Sequence, residues 1–310
     1  MYVRQIGPRV IVQTPAKLNL LLEVLARRAD GYHELETVMQ AISPCDTLEF
    51  APTAGTEITL ACRWGWGLVS QGGEASAFGD LPVAEKNIVW RAVAKLRERA
   101  GITRGAAISL VKRIPSAAGL GGASSDAAAA LMAANLGWRL GFSREQLAAL
   151  AAEIGSDVPF FLTGGAAICR GRGERIEPLS RSVRLAAVVV RPPVGLATPE
   201  VFRHCRPADE PVPAAPLCRA LATGQVAEVG KNLHNRLEEF AARLTPWIGR
   251  LRNEFARQGT LGHQMTGSGS SYFGLCHSAR QARRVASRLR ARRIGVVFAA
   301  TSAITNNHLE

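Results

Sequence analysis

Pro115-Ser-Ala-Ala-Gly-Leu-Gly-Gly-Ala-Ser-Ser125 runs straight into Asp126-Ala-Ala-Ala-Ala-Leu-Met-Ala-Ala-Asn-Leu-Gly137. Just before it, residues 106–111 have the apolar, β-rich character of a strand. After it, alanine dominates until Gly137, which marks a helix stop. Strand, glycine-rich loop and helix therefore follow one another directly. The hydroxyls of Ser124 and Ser125 are expected to cap the helix, which is placed from residue 124. Small side chains let backbone N–H groups converge on one point. The helix N-terminus adds unpaired donors and partial positive charge at the same place. A polyphosphate fits such a site, and either serine hydroxyl can face its oxygens or a Mg²⁺, Ser125 being the metal candidate. The candidate phosphate-binding residues are Pro115, Ser116, Ala117, Ala118, Gly119, Leu120, Gly121, Gly122, Ala123, Ser124 and Ser125. A glycine-rich turn that merely packs helix on sheet needs neither the serine pair nor the helix start.

Other nucleotide signatures are absent. No lysine follows these glycines as in G-x-x-x-x-G-K-[ST], and Gly119 and Gly121 are not followed by glycine at 124. The H-R-D and D-F-G strings of protein kinases are missing as well.

Moving outward, residues 10–13, 18–25, 38–42, 46–50 and 58–62 read as strands, and 63–80 as a surface loop or insertion carrying Trp64 and Trp66. Helical spacing at Ile88, Ala92 and Leu96 ends at Gly101. A second helix is expected over 143–154 with Ser143 as cap, then a turn at 171–175 and a buried strand at 185–190. A proline-rich stretch, 206–216, reads as a linker. Helices are expected at 217–222, 226–240, 244–258 and 279–292, with strands at 272–276 and 295–300. Strands and helices interleave as in an α+β pair of domains. The last residues, 306–310, read as a disordered tail.

The 310 residues are 47% hydrophobic, enough for a substantial core, and carry a formal net charge of +13. Nucleic acid, anionic membrane or phosphorylated metabolites are the partners such a balance favours. Nearly all of the basic charge is arginine, with only five lysines: Lys17, Lys86, Lys95, Lys112 and Lys231. The arginines at 280–293 sit on a helix whose Ala282, Val285, Ala286 and Leu289 share one face, so they read as a solvated surface rather than a nucleic-acid interface. The six cysteines are scattered without a C-x-x-C pair, and the histidines do not cluster with carboxylates. No apolar run spans a bilayer and the N-terminus has no apolar leader, so a cytoplasmic protein is expected, with no membrane and no nucleic-acid partner.

The glycine-rich segment resembles the second motif of the GHMP kinases (galactokinase, homoserine kinase, mevalonate kinase and relatives). Pro15-Ala-Lys-Leu-Asn-Leu20 is similar to that family's first motif, and Met265-Thr-Gly-Ser-Gly-Ser-Ser271 to its last. The order is right and nearly the whole chain is covered. The resemblance implies a two-domain α+β architecture. A ribosomal-protein-S5-like N-terminal domain (1–179) and a ferredoxin-like C-terminal domain (180–310) would flank the active-site cleft. It also implies ATP and Mg²⁺ as cofactors.

Asp30-Gly-Tyr-His33, Gly119-Leu-Gly-Gly-Ala-Ser-Ser-Asp126 and Gly155-Ser-Asp-Val-Pro-Phe160 resemble one branch of the family. That branch implies transfer of the ATP γ-phosphoryl to the 2-hydroxyl of a cytidine-diphosphate-linked methylerythritol, a step of non-mevalonate isoprenoid synthesis. Asp157 is then the candidate base, with Lys17 holding it ionised and orienting the hydroxyl. Asn19, Tyr32, His33 and Phe202 match substrate-side positions, Tyr32 and Phe202 on opposite faces of the base. Asn87 and Lys112 match positions near the nucleotide. Ala123 stands where this branch has a third glycine, so a methyl group narrows the phosphate site. A monomer or weak homodimer is expected. The alternatives are a family kinase for homoserine or a sugar, and a basic non-catalytic nucleic-acid binder on the same fold.

Overall fold

A computed structural model describes residues 1–65, 81–82 and 84–303. Most of the expected insertion at 63–80, Trp66 included, and the tail at 306–310 lie outside the described residues.

Two sheets organise the chain. The first has β1 (Tyr2–Ile6), β2 (Arg9–Arg27), β3 (His33–Thr53), β4 (Ile58–Trp64) and β5 (Gly105–Lys112) in the order β1-β2-β3-β5-β4. β3 is long enough to pair with β5 over residues 47–53 and with β6 (Ala166–Gly171) over 35–40, and β7 (Arg175–Pro178) extends β6. The first four strands expected from sequence are thus two long ones. β2 continues through Pro15 because a register shift between Pro15 and Ala16 accommodates the missing N–H.

Helices α1 (Ile88–Arg99), α2 (Gly122–Trp138), α3 (Arg144–Ile154) and α4 (Val158–Thr163) enclose the first core. α3 carries the expected Ser143 cap, completed as a capping box by Gln146. α2 starts two residues earlier than expected. Its cap is Gly121 in the left-handed region, with no side-chain cap bond, so Ser124 and Ser125 lie inside the first turn.

The second sheet holds β8 (Ala186–Arg191), β10 (Gly262–Met265), β11 (Tyr272–Cys276) and β12 (Val296–Thr301), all antiparallel, in the order β10-β11-β8-β12. Between β8 and β10 come α5 (Thr198–His204), α6 (Ala215–Thr223), α7 (Val226–Lys231), the two-residue β9 (His234–Asn235), α8 (Glu238–Leu244) and α9 (Pro246–Ala256). α10 (Ala279–Ala291) joins β11 to β12. It buries Ala282, Val285, Ala286 and Leu289, the stripe expected from spacing. Helix–strand alternation and strand order are those of a ferredoxin-like plait.

The continuous helix expected over 226–240 is broken. Asn235 donates to the carbonyls of Met265 and Gly267 and accepts the Leu237 N–H, which holds residues 234–235 extended as a parallel partner of β2. A third core joins the sheets, setting Leu18, Leu20 and Ile42 against Val189 and Phe273.

Candidate active site

β2 carries Lys17 on its inward face, 3% exposed, and its backbone N–H donates to the Leu120 carbonyl at 2.9 Å. One hydrogen bond therefore fixes strand and glycine loop together. Asp157 precedes α4 as its N-terminal cap residue, so it stands at a helix start. Lys17 Nζ lies 3.5 Å from Asp157 Oδ2, although 140 residues separate them. The same ammonium donates to Asn19 Oδ1, and Asn19 Nδ2 donates to Thr37 Oγ1 at 2.8 Å. Lysine is thereby held in one orientation toward the carboxylate.

In α2 the first intrahelical bond runs from the Ser125 N–H to the Gly121 carbonyl. The amides of Gly122, Ala123 and Ser124 have no acceptor within the helix and face its open end. Gly119 and Gly121 both have φ of +71°. A Cβ on Gly121 would lie 2.8 Å from the Phe161 ring and 2.9 Å from Lys17 Cγ; one on Gly119 would lie 2.2 Å from the Thr266 carbonyl oxygen. Glycine is required at both positions by close approach as well as by φ.

The last motif closes the loop from the other sheet. Asn19 N–H donates to Thr266 Oγ1 at 3.0 Å, Ser271 N–H donates to the Ala118 carbonyl at 3.3 Å, and Thr198 and Ser268 share a hydroxyl bond of 2.7 Å.

A cavity of about 820 Å³ opens between the two sheets. It brings together Lys17, Asn19, Tyr32, His33, residues 115–124, Asp157 and Phe202, all candidates from the sequence. Sequence reasoning did not single out Thr37, Ser156, Arg172 or Thr198, which also line it. Arg172 lies in the Gly171-Arg172-Gly173 string, which had been read only as a turn. The lining includes Lys17, Arg27, Arg172 and Arg203 against one described carboxylate, Asp157, so the cavity favours a polyanion. Ala123 is exposed along the wall, its methyl group facing no crowded core.

At the mouth, the His33 and Phe202 ring centres are 5.2 Å apart at 34°, while the Arg172 guanidinium carbon stands 4.8 Å over the Tyr32 ring. Phe202 thus packs on His33, and Tyr32 is faced by arginine. Burial, reinforced by Arg27, pushes the His33 imidazolium down from its ordinary value, so the ring is neutral near pH 7.

Three expected site residues do not reach the cavity. Ser125 is fully buried, its hydroxyl shared with Thr14 and donated to the Pro15 carbonyl at 2.6 Å; it anchors α2 on β2 and is not available to a metal. Lys112 is buried between Asp46 and Asp126, 2.6 Å from the latter. Asn87 caps α1, accepting the Val89 N–H and donating to the Pro82 carbonyl. Ser125 and Lys112 support the glycine loop and α2 from behind, whereas Asn87 serves the start of α1.

Asp46 also accepts the N–H groups of Arg113 and Ile114. The ion triad therefore clamps the end of β5 and the first turn of α2, the two ends of the glycine loop. Burial raises the Asp126 carboxyl well above the usual range, against the pull of Lys112.

Residues 87–165 match the family described as GHMP kinases N terminal domain, and residues 217–294 match GHMP kinases C terminal. The chain belongs to the GHMP kinases. It is similar to 4-diphosphocytidyl-2-C-methyl-D-erythritol kinase of Pelotomaculum thermopropionicum, 44% identical over 277 residues that make up 89% of this chain and 92% of the relative. The enzyme of that name from Geobacillus thermodenitrificans is 38% identical, covering 91% and 93% of the two chains. A crystal structure of 4-(cytidine 5'-diphospho)-2C-methyl-D-erythritol kinase superposes with a TM-score of 0.78 at 37% identity, over 95% of this chain and all of that one. Homoserine kinase from Cytophaga hutchinsonii shares the fold, with a TM-score of 0.73 at 20% identity over 98% and 97% of the chains.

Proposed function

We infer that the chain is a kinase that phosphorylates 4-diphosphocytidyl-2-C-methyl-D-erythritol on its 2-hydroxyl in the non-mevalonate isoprenoid pathway, with ATP as donor. Relatives of that name align over about nine-tenths of its length. The observation that carries the chemistry is the Lys17–Asp157 contact of 3.5 Å beside the open amides of α2. Those amides hold the triphosphate, so little remains but to position the acceptor and handle its proton. Asp157 Oδ accepts the hydroxyl proton as the new O–P bond forms and the bond to the ADP leaving oxygen breaks. Lys17 pairs with that carboxylate at 3.5 Å and draws the acceptor oxygen into line, and Asn19 fixes the lysine.

Toward the mouth, the cytosine would stand on the face of the half-exposed Tyr32 ring that Arg172 leaves open. A neutral His33 offers a ring donor and a ring acceptor to the pyrimidine edge, as a base that both donates and accepts requires. Among the described residues no group of three or more His, Cys, Asp or Glu could hold a metal ion, and Ser125 is occupied. The residues therefore do not form a resident metal site, and Mg²⁺ is proposed to arrive on the nucleotide phosphates as the Mg–ATP substrate.

Among the described residues no helix is long and apolar enough to cross a membrane. The homoserine or sugar alternative loses ground because the homoserine kinase likeness, at 20% identity, extends to fold alone. Nucleic-acid binding loses it because the paired Lys17 and Asp157 have no role in such binding.

Incubation with Mg–ATP and the cytidine-linked diol is expected to release ADP, with CDP competing against the diol. No ADP release with this diol, but release with homoserine or a sugar, would overturn the substrate assignment. Gly119→Ala is expected to weaken nucleotide binding and to cost about 1–3 kcal/mol in stability, from the strained φ and the collision with Thr266. Titration calorimetry and thermal unfolding check it; an unchanged affinity for ATP would show that the two loops can part without harm.

A further inference from the structure

The turn between β6 and β7 touches both ends of the acceptor site. Gly171 and Gly173, at φ of +73° and +115°, make it tight, and Glu174 closes it by accepting the Arg172 N–H at 2.6 Å. On one side, a Cβ on Gly173 would lie 3.6 Å from Asp157 Oδ1, so the turn packs against the proposed base. On the other, the Arg172 guanidinium covers Tyr32 at 4.8 Å. Among the described residues its guanidinium makes one hydrogen bond, a long contact of 3.5 Å to the Ala152 carbonyl, and no ion pair. Asp30, the acid whose charge it feels, is already engaged by Arg28 at 3.1 Å.

We propose that Arg172 is a specificity-determining residue that binds the diphosphate of the acceptor. The claim rests on the acceptor assigned above. In that molecule the ribose and then the diphosphate lie between the base, placed at Tyr32, and the hydroxyl, placed at Asp157. A guanidinium held between those two points by stacking, with no carboxylate partner among the described residues, meets two anionic phosphates as the chain of the substrate passes it. Planar, bidentate recognition of phosphate is the chemistry for which arginine is suited. Stacking on Tyr32 holds the side chain in place before the substrate arrives, which lowers the entropy lost on binding.

Arg172→Gln separates this from a merely supporting role under Tyr32. Calorimetric binding of cytidine and of CDP to the full chain is the readout, alongside the two Michaelis constants. The wild-type protein is expected to bind CDP more tightly than cytidine. Arg172→Gln is expected to weaken CDP by about tenfold, the value of a hydrogen-bonded charge pair, and to leave cytidine nearly unchanged. The KM for the cytidine-linked diol should rise in step while the KM for ATP holds. Arg172→Lys, which keeps the charge, should retain most of the preference for CDP. Equal weakening of cytidine and CDP would reduce Arg172 to a prop for the aromatic ring and overturn the proposal. A loss falling on ATP instead would move the arginine to the donor phosphates and overturn it too. If wild-type protein binds both ligands equally, the diphosphate claim alone fails; if it binds neither, the acceptor assignment fails with it.

Discussion

Asp157→Asn is expected to lower kcat by on the order of 100-fold or more, the typical worth of a positioned acid–base group. Asparagine keeps the shape of the side chain and one hydrogen-bonding oxygen but cannot take a proton. The substitution should therefore spare the KM for ATP, whose phosphates are proposed to rest on backbone amides, and fall on the chemical step. Lys17 loses its ionic partner, 3.5 Å away, yet keeps its bond to Asn19, so the pocket stays assembled. Single-turnover measurements with Mg–ATP and the diol separate chemistry from product release. Turnover near that of the wild type would remove Asp157 from the role of base and leave it a positioning residue.

Lys112→Met should be the most damaging change to stability, at about 3–5 kcal/mol, because it strands two buried carboxylates without their cation. Asp46 retains the N–H groups of Arg113 and Ile114, whereas Asp126 Oδ1 already has no hydrogen-bond partner. The variant should thus bury one proton on Asp126. A carboxyl whose folded pKa is raised favours the folded state below its unfolded value, about 3.9, and that contribution is lost as pH rises through the folded value. The loss caused by Lys112→Met should accordingly be larger at pH 8 than at pH 5. Adding Asp126→Asn should recover part of it, since the second substitution removes the stranded charge. Urea unfolding at both pH values checks the pattern. A loss that is small and independent of pH would mean that water reaches the triad.

Sequence made the glycine loop legible because its chemistry is local: small residues, a helix start and the flanking strand are all contiguous. Lys17 and Asp157 were legible only through motif resemblance, since nothing in local spacing pairs positions 140 residues apart. Lys112 was assigned to the nucleotide, although strand alternation held the clue to its real place. On β5 the side chains of Ile108, Leu110 and Lys112 share the buried face, so the ammonium had to point into the interior. Ser125 misled for a related reason. A helix packed on several sides buries its polar residues too, and α2 encloses Ser125 and Asp126 among alanines. The break at 232–236 left no trace in apolar periodicity, because its cause, Asn235 bonding to Met265 and Gly267, is tertiary.

Thr266 rests on Gly119 with no space for even one methyl group, and Gln264 donates to the carbonyls of Asn19 and Leu20 on the opposite sheet. Descendants of this gene are thus not at liberty to trade one lobe for a cousin's. A substitution on either bank of that seam selects its counterpart on the other, so the two lobes must drift in matched steps.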